Sequence, residues 1–72
     1  MLPENFTMDP KWNTSVFSYE DRILILKSRQ GHGIKIHSCY NGKVEFTIRY
    51  SFIAPNVLKQ KAIDKINKIK SN

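Results

Sequence analysis

Four residues close together could do chemistry: His32, His37, Cys39 and Tyr40. His37 and Cys39 are two apart, so on a strand they share a face. A structural zinc site needs four ligands. The chain has one cysteine and two histidines, and it lacks Cys-x-x-Cys or His-x₃-His spacing, so no metal and no cofactor is expected. A Cys–His nucleophilic pair needs a base within hydrogen-bond reach, whereas side chains at i and i+2 on a flat strand stand side by side with no pocket between them. Metal-independent RNA cleavage asks for less, a proton-transfer group and cations for the phosphorane, and His37, Glu45, Arg49 and Lys35 would supply them if they shared one sheet face. Gly31-His32-Gly33 lacks the length and the lysine of a phosphate-binding loop and suits a hairpin turn better. The expectation is a protein that is not an enzyme, with a ribonuclease toxin as the less favoured alternative.

Binding a polyanion requires only a basic surface on a rigid frame. The chain carries 12 Lys plus Arg against 6 Asp plus Glu, a net +6. The charge is uneven. Residues 1–21 hold Lys11 against Glu4, Asp9, Glu20 and Asp21, a sum of −3, while residues 22–72 hold eleven basic side chains against Glu45 and Asp64, a sum of +9. A basic body behind an acidic leader points to a nucleic acid, DNA or RNA, or to an acidic protein surface, with the leader as a candidate shield. Two surfaces qualify: the outer face of a sheet, with Lys35, His37, Lys43, Thr47 and Arg49, and a helix ridge of Lys61, Lys65 and Lys68. The outer face lacks the exposed aromatic rings that single-strand binders use for stacking.

The elements that must position these residues follow from hydrophobic period. Val16, Phe17 and Tyr19 suggest a short first strand, and Glu20-Asp21 a turn into Arg22–Arg29. Ile23-Leu24-Ile25-Leu26 is apolar on both faces, which suits a central strand covered on both sides. Ile34, Ile36, Ser38 and Tyr40 alternate with Lys35, His37 and Cys39, and Val44, Phe46, Ile48, Tyr50 and Phe52 alternate with Lys43, Glu45, Thr47, Arg49 and Ser51, as half-buried strands do. Asn41-Gly42 between them usually marks a two-residue type I′ turn, but that register would oppose Ile36 to Thr47 and mix the two faces. A three-residue loop with Gly42 in a G1 bulge instead pairs Ile36 with Phe46 and Ile34 with Ile48, and sets His37 opposite Glu45 and Lys35 opposite Thr47.

Pro55 or Asn56 then begins a helix. Leu58, Ala62, Ile63, Ile66 and Ile69 fall on one arc of it, Lys61, Lys65 and Lys68 lie opposite, and Lys59 and Lys70 sit at the arc's ends, where their stems can snorkel. The expected fold is α+β: a small antiparallel β-meander of three to four strands packed on one C-terminal α-helix. The chain reads as a single domain over 1–72, with an irregular arm at 1–14, the meander at 15–54 and the helix at 56–70. Phe6, Met8 and Trp12 of the arm are expected over an edge of the core. The layout is similar to small chromatin-type barrels and sheet-reading DNA-binding domains, a likeness of architecture and not of motifs.

At 72 residues the chain removes only about 60% of its unfolded surface from water, too little for a two-domain enzyme with an interdomain cleft. No run approaches the roughly 18 apolar residues that span a bilayer, so no membrane is expected. A lone Cys39 favours a reducing compartment, and residues 1–6 lack a basic n-region and an apolar h-region, which implies a cytoplasmic protein. Lys, Ile and Asn number 9, 9 and 6, a third of the chain, as AT-rich coding DNA yields in low-GC bacteria, phages and other viruses. Against the nucleic-acid reading stands an interaction module that modulates a partner protein. A thin core and an exposed strand edge could leave an apolar patch for that partner or for a second copy of the chain in a homodimer.

Overall fold

The computed structural model describes residues 9–71. Four strands, β1 (Asn13–Tyr19), β2 (Arg22–Arg29), β3 (Gly33–Tyr40) and β4 (Lys43–Tyr50), form one antiparallel sheet in sequential order, and α1 (Pro55–Lys70) follows. The architecture is α+β, a four-stranded meander with one helix. None of the described helices is long and apolar enough to cross a membrane.

Each hairpin turn contains left-handed backbone. Glu20 takes φ 53° between β1 and β2. In the β2–β3 turn, where the His32 N–H donates to the Arg29 carbonyl at 2.9 Å, Gly33 has φ +84°. A Cβ on Gly33 would meet the Tyr50 carbonyl oxygen at 2.6 Å, so only glycine lets β3 begin that close to the end of β4. Asn41 and Gly42 have φ 54° and 78° and form a two-residue turn flanked by the pair Tyr40–Lys43.

That turn corrects the expected three-residue loop. Cys39 pairs with Val44, the register then shifts, and Ser38 pairs with Phe46, His37 with Thr47, Ile36 with Ile48 and Lys35 with Arg49. The extra residue needed to keep apolar side chains opposite one another is Glu45, a bulge inside β4 and not in the turn. Asn-Gly thus keeps its preferred turn, and the bulge restores the parity of the faces two residues out of the expected alignment. Strand β4 also stops at Tyr50, so Phe52 is not in the inward series: it is 94% exposed.

Leu58, Ala62 and Ile66, four residues apart on α1, are fully buried against Leu24, Ile34 and Ile36 of the sheet. Phe17, Tyr19, Leu26, Phe46, Ile48, Ile53 and Ile63 close the rim of this cluster. Ile69, expected in the apolar arc, is 37% exposed. The helix begins at Pro55, the earlier of the two expected starting residues: Ala54 is extended, and its carbonyl accepts from the N–H of Val57 and of Leu58. Lys68 and Lys70 in the last turn complement the helix dipole.

One end of the layered structure is locked by charge. Arg22, 4% exposed, donates from Nε and Nη2 to the two Glu45 carboxylate oxygens at 3.1 and 2.9 Å, and from Nη1 to Asp21 at 2.8 Å. Its Cζ lies 4.0 Å from the centre of the Tyr40 ring. Lys70 reaches Asp21 and Glu20 at 2.9 and 3.1 Å, and the Tyr19 hydroxyl donates to Asn67 at 2.9 Å. Glu20 and Asp21, counted above as part of an acidic leader, therefore pin the helix end to the first hairpin. Hydrogen bonds from Lys70 and Arg22 hold the Asp21 carboxyl down at about 2, and hydrogen bonds to Glu45, then Asp21, raise Arg22 further above its usual range.

On the face away from the helix, Ile25 is fully buried and Cys39 nearly so, which agrees with β2 being apolar on both sides. Trp12 of the arm lies on that outer face and not over an edge of the core. Its ring centre is 4.5 Å from Lys35 Nζ and 5.5 Å from Lys27 Nζ. Phe6 and Met8 lie outside the described residues.

Candidate nucleic-acid interface

The outer face carries a basic row that crosses three strands. Lys27 of β2 is paired with Lys35 of β3, and Lys35 with Arg49 of β4. Neighbouring strands lie about 4.8 Å apart, so three cations are set within about 10 Å along the sheet. Directly opposed like charges weaken a sheet, and a fold under no other demand tends to avoid them. The Trp12 ring relieves part of this repulsion by offering its π-face to the two lysines. Partial burial, then the charges of Lys27 and Arg49, lower the basicity of Lys35. Between described residues every ion pair involves Arg22 or Lys70, so no described carboxylate neutralises Lys35 or Arg49.

His37 occupies the next row, between Ile25 and Thr47. Its Nδ1 lies 2.8 Å from the Thr47 hydroxyl. Burial lowers its basicity, and Lys35, Lys27 and Arg49 lower it further. The expected opposition of His37 and Glu45 is not present. The bulge turns Glu45 to Arg22, and the set proposed for RNA cleavage loses its carboxylate. Cys39 follows on the same face, and burial raises its thiol, which disfavours the thiolate a nucleophile requires. Among the described residues no group of three or more His, Cys, Asp or Glu could hold a metal ion.

The remaining expected site residues are dispersed. Lys43 is exposed beside the β3–β4 turn. Lys61 Nζ is 5.8 Å from the Tyr50 ring centre, Lys65 Nζ is 5.0 Å from that of Phe46, and Lys68 is exposed in the last turn of α1. Lys61 and Lys65 therefore lean toward the β4 edge rather than standing along the crest of the helix. Lys59 packs over Phe17 at 4.3 Å, and Lys70 is drawn into the Glu20–Asp21 pair, both at the border of the core as their positions in the helical arc imply. The structure joins Lys35, His37 and Arg49 in one patch and leaves Lys61, Lys65 and Lys68 on the helix.

Two members of that patch escape a reading by period alone. Lys27 follows the apolar run of β2 and looks like its polar terminus, and only the β2–β3 register aligns it with Lys35. The available signal was the Gln30-Gly31-His32-Gly33 turn, which fixes that register. Trp12 is separated from the row by chain direction and is brought to it by tertiary contact. At the end of the row a shallow groove of about 570 Å³ is lined by Gly31, His32, Gly33, Arg49, Tyr50 and Ser51. The His32 ring centre is 6.1 Å from that of Trp12, so the groove adjoins the covered lysines. No family model, curated protein or solved structure matches this chain.

Proposed function

We propose that this is a small, non-enzymatic nucleic-acid-binding protein that presents Lys35 and Arg49 of its outer sheet face to a phosphate backbone, with Lys27, only 8% exposed, behind them in the same row. The observation that carries the proposal is the direct opposition of Lys35 and Arg49 on adjacent strands with no described carboxylate paired to either, a placement that costs stability and is suited to a polyanion. Burial first, and then the neighbouring cations, lower the basicity of Lys35 and His37. Lys61, Lys65 and Lys68 add longer-range attraction from the helix, and Lys43 adds it from the hairpin. A buried, lone Cys39 suits a cytoplasmic setting.

The test is fluorescence anisotropy with labelled duplex DNA, single-stranded DNA and RNA at a series of salt concentrations. Phosphate neutralisation makes log affinity fall linearly with log salt, by about 0.7 to 0.9 per contact. A flat response, or a stoichiometric protein partner retained after nuclease treatment, would overturn the proposal in favour of an interaction module.

A further inference from the structure

Phe52 is the anomaly of the surface. At 94% exposed it leaves a whole aromatic side chain in water, just beyond the end of β4, in a protein with few large apolar residues to spare. It borders a second shallow groove of about 410 Å³, with Gln30 and Ile53. Gly31, Gly33 and Ser51 line both this groove and the one beside Arg49, so the two depressions adjoin at the β2–β3 turn. Two of those shared residues are glycines, which present bare backbone on which a flat ring can rest. No carboxylate of the described residues lines either groove. Arg49 stands at one side, Lys61 reaches the half-exposed Tyr50 ring from the helix, and His32 links the depression to Trp12.

Exposed aromatic faces alternating with unneutralised cations match the repeat of a single strand, in which each nucleotide offers a base to stack and a phosphate to pair. A duplex keeps its bases stacked on one another and has no face to offer Phe52. Resting on the nucleic-acid reading above, we infer that the bound strand is single-stranded DNA or RNA, with an unpaired base stacked on Phe52 and adjoining phosphates at Arg49 and Lys61. The backbone track then continues from Arg49 to Lys35.

The experiment compares a fluorescein-labelled oligothymidylate with a duplex of equal length, using the whole chain and its Phe52→Ala and Phe52→Tyr variants, with Trp12 emission as a second readout. Because the side chain touches little, both variants should melt as the parent does. The expected result is tighter binding of the single strand, weakened about 5- to 150-fold by Phe52→Ala and retained by Phe52→Tyr, with duplex binding unchanged by either. Equal single-strand affinity in the parent and Phe52→Ala, alongside salt-dependent binding, overturns this inference alone. Absence of salt-dependent binding to either probe overturns it together with the nucleic-acid reading. Self-association abolished by Phe52→Ala, without a preference for the single strand, assigns the ring to a protein contact and also overturns it.

Discussion

Replacing Arg49 by Gln removes one end of the basic row while leaving the Lys27–Lys35–Trp12 stack in place, so binding and stability should move in opposite directions. If Lys35 and Arg49 each meet one phosphate, the slope of log affinity against log salt is about −1.4 to −1.8, and raising salt from about 50 to 200 mM weakens binding roughly 7- to 12-fold. Arg49→Gln should make that slope shallower by about 0.7 to 0.9. The same salt step then costs only about 3- to 4-fold. Stability should rise, because Arg49 opposes Lys35 directly and no described carboxylate pairs with it. With the side chain exposed and solvent-screened, the gain is a few tenths of a kcal/mol, or about 1–3 °C in Tm for a domain of this size. Anisotropy and thermal melts at low salt measure the two quantities on one preparation, with Lys68→Gln as the helix control. An unchanged slope in Arg49→Gln with a shallower one in Lys68→Gln would refute the assignment of phosphate contacts to the sheet. A lowered Tm would refute the repulsion in the row.

Three further expectations concern the frame. Gly33→Ala should destabilise by about 1–3 kcal/mol, since its Cβ meets backbone at 2.6 Å, and Gly31→Ala, which has open space and only a left-handed φ of 82°, by about 1 kcal/mol; urea unfolding of the two separates clash from conformational strain. The Ser38 hydroxyl is fully buried without a hydrogen-bond partner among the described residues, so Ser38→Ala should stabilise by about 1 kcal/mol in the same assay, and a loss would show that the hydroxyl is satisfied. Stability should decline in two acid steps. His37 is depressed below its ordinary 6.5, so its contribution is complete above that value and is lost as pH falls below it; Asp21, lowered from 3.8 to about 2, contributes fully above pH 4 and is lost as pH falls through 2. Melts across this range should lose the upper step in His37→Gln and part of the lower one in Asp21→Asn.

How much of this was legible in the chain depends on the range of the interaction. Alternation with period two in β3 and β4, the doubly apolar run of β2 and the 3.6 period of α1 are local, and they define the meander, its helix and most of the core, because each side chain's face follows from its own backbone. Parity across the last hairpin was legible too, since mixing polar and apolar faces costs too much to tolerate. The place of the extra residue was not. Whether one residue is absorbed in a turn or in a bulge is a small difference between two local conformations, and Asn41-Gly42 kept its favoured two-residue turn while Glu45 bulged toward Arg22. That choice moved the partner of His37 from Glu45 to Thr47 and the partner of Lys35 from Thr47 to Arg49.

The candidate site shows the same division. By itself the sequence determined that the chain is basic, where the charge lies along it and which face of each strand carries it. Only the tertiary structure aligned Lys27, Lys35 and Arg49 in one row, laid Trp12 over two of them, committed Glu20 and Asp21 to Arg22 and Lys70, and left Phe52 in solvent. The physical reason is that faces are set by backbone period within a strand, whereas rows are set by register between strands, and register is decided by turns and bulges whose energies differ by little until the whole sheet and helix have packed.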